Sequence, residues 1–257
     1  MIRELAENAN TYTSLQPGDE RIVDPRYVVF LGPGSDPHFT VVQRLRLPAE
    51  DVEHAVAEIR ERVAAHGRSA CTWEVGDSAT PAGLVDRLLS LGCVPDRDPL
   101  AIGMVLTEPP ADDSPGVTAR RVQTLSEYVE ATRIAHESFG MPAAAADEAL
   151  ARAADDYARE GETRATYLAF FDGRPVARAT AAFTEHGVLL FGGATMAEAR
   201  GRGAYRALVR ARWHDAVARG TPVLVTHAGA MSQPILSSLG FREVARVHIL
   251  LDRFGEG

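Results

Sequence analysis

The chain has 257 residues, 46% of them hydrophobic and 24% charged, enough apolar material for one large or two modest domains. Its formal charge of −8 argues against broad binding to DNA, RNA or an anionic membrane surface. Cys71 and Cys93 make no disulfide framework and have no metal-ligand spacing, so buried thiols in a reducing compartment and no metal site are expected.

Met1-Ile2-Arg3-Glu4 opens no signal peptide, and no apolar run is long enough to span a membrane. A cytoplasmic protein is expected. The use of arginine with no lysine, beside abundant alanine, suggests a bacterial chain from a GC-rich genome.

Residues 1 to 26 are polar and turn-rich and read as partly irregular. Strands are expected at Tyr27–Leu31 and Phe39–Leu47, with a glycine-proline turn between. Pro48 and the acids after it start a helix whose apolar face is Val52, Val56, Ile59 and Val63. A strand at Cys71–Val75, a helix from Pro81 to Leu91 stopped by Gly92, and a strand at Leu100–Leu106 follow. Thr107 to Gly116 carries three prolines and three acids and reads as a linker, dividing a domain of residues 1–110 from one of 111–257.

Beyond it come a strand from Val117 to Val122 and a helix opened by Thr124 and Glu127 as a capping box. A second helix runs from Ala143 to Glu160. Strands at Thr166–Phe171 and Val176–Phe183 flank the turn Asp172-Gly173, and another spans Val188–Ala194. Then come a glycine loop, a helix to Arg219, a strand to His227, a short helix from Met231 to Leu239, and one or two closing strands.

The halves echo each other. Thr72-Trp73-Glu74-Val75, Leu88-Leu89-Ser90-Leu91-Gly92 and Ile102–Leu106 run parallel to Leu224-Val225-Thr226-His227, Leu236-Ser237-Ser238-Leu239-Gly240 and Val247–Leu251. The first half is read as a reduced second copy of one fold. Before its first helix it has no glycine, and Pro48 removes an amide donor, so it is not expected to bind a phosphate-bearing cofactor.

In the second half, Arg200-Gly201-Arg202-Gly203-Ala204-Tyr205 follows a strand and opens a helix. The first amides of a helix lack intrahelical partners and sit at the positive end of its dipole, so this geometry suits an anion. No nucleotide-binding loop of the G-x-x-x-x-G-K-[ST] or G-x-G-x-x-G type is present. The hexapeptide resembles the pyrophosphate loop of the GCN5-related N-acetyltransferase (GNAT) family, [QR]-x-x-G-x-[GA]. Arg200 fills its first position and Gly203 its fourth, while Tyr205 stands where glycine or alanine is usual. Leu239-Gly240-Phe241 resembles a second family signature, and the order of elements from Val117 to Phe254 is also similar.

This resemblance implies an α/β fold of two tandem GNAT-like domains, each a mixed, mostly antiparallel sheet flanked by helices. It implies acetyl-coenzyme A as cofactor, held by Ala194, Thr195, Met196 and Arg200 through Tyr205, with Gly192 and Gly193 as a bulge. The function implied is transfer of an acetyl group to an amine of a small molecule or peptide, by direct attack, in a monomer or homodimer. His227 is the candidate base, ahead of Glu185 and His186, and Ser232 a candidate thiol contact. Leu236 occupies the position where many members carry a tyrosine acid. The alternative is an acyl-coenzyme A sensor with little turnover.

Overall fold

A computed structural model describes residues 1–34, 36–110 and 116–254. The expected boundary between residues 110 and 111 borders the stretch 111–115, outside the described residues.

The first half opens with α1 (Ile2–Glu7) and a 3-10 turn at Ala9–Thr11, then the hairpin β1 (Glu20–Asp24) and β2 (Tyr27–Leu31). The opening segment is therefore ordered rather than irregular. Leu5, Ala6, Glu7 and Asn8 are all buried, which its polar composition concealed. β3 (Thr40–Gln43) ends sooner than alternation suggests, because Arg44 turns to a φ of 54°. α2 (Val52–Ala65), β4 (Ala70–Gly76), α3 (Leu84–Ser90) and β5 (Val94–Leu106) complete this half.

The second half begins with β6 (Val117–Arg121) and α4 (Leu125–Phe139), whose cap Thr124 accepts from the Glu127 amide at 3.2 Å as the capping box requires. The expected single helix at 143–160 is two, α5 (Ala143–Ala151) and α6 (Ala153–Ala158), broken at Arg152. β7 (Arg164–Phe171) and β8 (Arg174–Thr184) meet at Asp172 and Gly173, both at positive φ, the two-residue turn that matches strand twist. β9 (Gly187–Thr195), α7 (Ala204–Ala218), β10 (Leu224–Ala228), α8 (Gln233–Ser238) and one long β11 (Arg242–Arg253) follow.

All strands join one 11-stranded sheet in the order β1-β2-β3-β4-β11-β5-β10-β9-β8-β7-β6. Among the described strands, only the pairs β3–β4 and β9–β10 are parallel. The duplication holds residue by residue. Val41 and Val42 pair with Thr72 and Trp73 as Val188 and Leu189 pair with Leu224 and Val225. Thr72 to Val75 pair with Leu251 to His248 as Leu224 to His227 pair with Leu106 to Gly103. The closing strands are exchanged: β5 of the first half lies beside β10 of the second, and β11 of the second beside β4 of the first.

Two main cores result. In one, the inward faces of β7, β8 and β9 meet Leu208, Val209, Trp213 and Ala216 of α7. In the other, α2 and α3 pack on β2 to β4 through Ile59, Leu88 and Trp73. The exchange is tied down at Asp252 of β11. Its buried carboxylate accepts from Arg60 Nε and Nη2 of α2 at 2.9 and 2.8 Å and from Trp73 Nε1 at 3.1 Å.

Candidate active site

β9 and β10 are hydrogen-bonded neighbours only at Val188–Leu189 and Leu224–Val225, then part. Thr226 Oγ1 donates to the Leu190 carbonyl at 2.9 Å across the start of the opening. Beyond it β9 bulges. Thr180 of β8 pairs with Phe191 and Arg178 with Ala194, leaving Gly192 and Gly193 as extra chain opposite Ala179. Gly192 sits at a φ of 59°, which favours glycine, and a Cβ there would be 2.5 Å from Arg178 Nη1, so the guanidinium would have to move. The bulge expected at these two glycines is therefore present.

The loop that follows has Gly201 and Gly203 at φ of 74° and 88°. Gly203 is the N-cap of α7, and no side chain caps it. The helical ladder begins with the Ala207 amide donating to the Gly203 carbonyl at 3.0 Å, so the amides of Ala204 and Tyr205 have no acceptor within the helix. The loop arginines are exposed but engaged. Arg200 Nε donates to the Thr195 carbonyl at 3.3 Å, and the Arg202 guanidinium stacks 3.5 Å from the Phe171 ring centroid. Tyr205 folds its ring onto β9, where a Cβ on Gly193 would be 2.8 Å from Tyr205 Cε2. Ala194 is buried, and Met196 donates its amide to the Val176 carbonyl at 3.0 Å.

A cavity of about 690 Å³ runs along this opening. Phe191, Gly192, Gly193, Tyr205, Thr226, His227 and Ser232 all line it, so the opening, the bulge, Tyr205 alone of the cofactor-binding candidates and both catalytic candidates converge on one space. Ser232 does not cap α8; its hydroxyl donates to the Gly229 carbonyl at 3.3 Å. His227 Nε2 lies 2.9 Å from the Ala6 carbonyl, which only accepts, so Nε2 carries the proton and Nδ1 the lone pair. Leu236 is fully buried. Glu185 and His186 pair with each other at 3.0 Å on a hairpin away from the cavity lining.

Sequence reasoning missed two features. One wall comes from the first half, through Phe30, His38, Phe39 and Glu74. Burial raises the Glu74 carboxyl above its ordinary value, opposed by His227 and His38, while Gln43 Nε2 donates to it at 2.9 Å. Glu74 sits in β4, the strand equivalent to β10, so the repeat itself was the signal that could have found it. The second feature is the N-terminal segment. Glu7 Oε1 accepts from the Ser78 amide at 2.8 Å, and Asn8 Oδ1 from the Arg44 amide at 2.8 Å. These two buried side chains fill the parting of β3 and β4, the counterpart of the cavity between β9 and β10. In the first half these side chains tie the ends of β3 and β4 together, and no glycine loop precedes α2.

No family model and no curated protein matches the chain in sequence. Solved structures match it in fold. A GCN5-related N-acetyltransferase from Kribbella flavida superposes with a TM-score of 0.73 at 21% identity, covering 99% of this chain and 96% of that one. A tandem GNAT protein from the clavulanic acid biosynthesis pathway gives 0.62 at 15% identity, covering 100% and 88%. A GCN5-related N-acetyltransferase from Sphaerobacter thermophilus gives 0.63 at 16% identity, covering 91% and 83%. The chain has the GNAT fold, and the matching registers of its two halves show that it has that fold in tandem. Among the described residues no helix is long and apolar enough to cross a membrane.

Proposed function

We propose that the chain is an acyl-coenzyme A-dependent N-acyltransferase whose second half alone holds the cofactor, with acetyl as the acyl group and an amine of a small molecule or peptide as acceptor. The observation that carries this reading is the continuity between the uncapped start of α7, the bulged edge of β9 and the cavity between β9 and β10. The amides of Gly201 to Tyr205 suit a pyrophosphate, and two glycines let it approach without a Cβ in the way. The edge of β9 turned away from β8 around Thr195, between Ala194 and Met196, suits the pantetheine arm. A main-chain amide at the bulge would stabilise the oxygen that gains charge when the amine attacks the thioester carbonyl.

The acceptor ammonium must lose a proton first. His227 Nδ1, with its tautomer set by the Ala6 carbonyl, is the base in this reading, and Glu74 opposite holds the ammonium before it does so. The new C–N bond forms as the C–S bond breaks, and the second proton the nitrogen then sheds passes to the leaving thiolate, relayed by the Ser232 hydroxyl or water. Acetyl-coenzyme A incubated with an amine panel should release free thiol together with an acylated amine. His227→Ala should lower kcat by about 10²-fold.

A second reading, an acyl-coenzyme A sensor, is favoured by Leu236, a buried apolar side chain where an acid would help the leaving thiolate. Tight cofactor binding with no thiol released to any acceptor would select it.

A further inference from the structure

Two guanidinium groups stand beside the bulge without a carboxylate hydrogen-bonded to either, Arg212 buried and Arg178 half-buried with its Nε enclosed. Arg212 of α7 lines the cavity at 1% exposure. Its Nε donates to the Leu208 carbonyl at 3.0 Å and its Nη1 to the Thr180 carbonyl at 3.2 Å, while Nη2 has no partner. Arg178 of β8 lies directly behind Gly192, a lining residue. Its Nη1 donates to the Gly192 carbonyl at 2.9 Å, and its Nε has no partner. Between them the buried Thr180 hydroxyl is also unpartnered. Arg178 Nη1 and Thr180 Oγ1 lie together behind Gly192, 2.5 and 3.7 Å from the place a Cβ would occupy, while Arg212 reaches the same stretch of β8 from the α7 side through the Thr180 carbonyl.

Glu160 acts on Arg178 only through space, its oxygens being hydrogen-bonded to the Thr166 amide and hydroxyl and not to a guanidinium. Arg164, also on the lining, adds a third positive charge. Burial pulls the Arg178 guanidinium down to about 10, still cationic at neutral pH. A buried, uncompensated cation pair is costly to keep unless an anion completes it. Charge-assisted bonds from guanidinium groups favour planar, two-oxygen anions.

We propose that the cavity wall at Arg212 is a carboxylate subsite, with Arg178 and the Thr180 hydroxyl behind Gly192 adding to its positive field, so that one substrate brings a carboxylate to the bulge. The inference rests on the acyltransferase reading for the identity of the substrates but not for the subsite itself. The carboxylate comes from an amino acid acceptor or from the acyl group of a dicarboxylic thioester.

Calorimetry separates the sources. In the acceptor arm, glycine, L-alanine and L-phenylalanine are compared with methylamine, ethylamine and 2-phenylethylamine, with and without saturating coenzyme A. In the acyl arm, malonyl- and succinyl-coenzyme A are compared with propionyl- and butyryl-coenzyme A. One arm should show the carboxylate-bearing member binding about tenfold tighter or more, and Arg212→Met should abolish that preference. Arg178→Met serves as the second variant if the first fails to fold. Equal affinity within every pair of both arms overturns the proposal, as does a preference that both variants retain. Coenzyme A binding without any such preference removes only the subsite. A carboxylate preference in the acceptor arm without coenzyme A binding removes only the acyltransferase reading.

Discussion

The ring of Tyr205 rests on Gly193, with only 2.8 Å between Tyr205 Cε2 and the place a Cβ would occupy. The departure in the glycine loop and the second glycine of the bulge are therefore one arrangement. The large side chain at the start of α7 needs a bare main chain on β9, and there it leaves the amides of the loop uncovered. Gly193→Ala should cost about 1–3 kcal/mol by overpacking. Tyr205→Ala in the same background should recover most of it, and a denaturation double-mutant cycle measures the coupling.

Asp252 joins the exchanged strand to the first half by three hydrogen bonds, one of them from Trp73. Asp252→Ala leaves the Arg60 guanidinium without its carboxylate partner and the Trp73 N–H unpaired. The expected loss is about 3–5 kcal/mol in chemical denaturation. A loss below 1 kcal/mol would mean that the exchanged strand is held by its ladder alone.

The exchange also makes the halves interdependent. Without β5, the second half exposes the edge of β10, and without β11 the first exposes the edge of β4. Residues 1–110 and 111–257 expressed separately should be insoluble or aggregated, and expressed together should assemble into one soluble particle. Monomeric, folded separate halves in size-exclusion chromatography and circular dichroism would contradict the topology.

Glu74 supplies a pH dependence. Its folded carboxyl titrates above its ordinary 4.5 because burial penalises the charged form. The sign follows from linkage: its contribution is fully present below 4.5 and is lost as pH rises through the folded value. Glu74→Gln should match the wild type in stability near pH 4, gain on it as pH rises, and level off above the folded value. A difference that stays flat with pH would show that Glu74 is not desolvated.

Much of this architecture was legible in the sequence because it depends on local pattern. The echo between Thr72–Val75 and Leu224–His227 predicted equivalent strands, and their ladders agree residue for residue. The glycines at 192, 193, 201 and 203 carried conformational meaning that the backbone bears out at the bulge and the helix start. What was hidden depends on distant chain. Nothing local marks β5 and β11 as exchanged, since either order buries the same apolar faces. The polar run at Glu7 and Asn8 gave no sign of burial, because its partners are main-chain amides 36 and 71 residues away. Nothing in the local pattern marks Arg178 and Arg212 as residues that the sheet and α7 enclose.

On the proposed reading, the second copy of the duplicated fold cradles a pyrophosphate at the start of α7 and the first copy does not. Hydrogen–deuterium exchange with and without coenzyme A tests it most directly. Bound at one molecule per chain, coenzyme A should protect amides at 191–196 and 201–206 and leave 43–52 unchanged. Protection of 43–52, or none at 201–206 under saturating coenzyme A, would contradict the account.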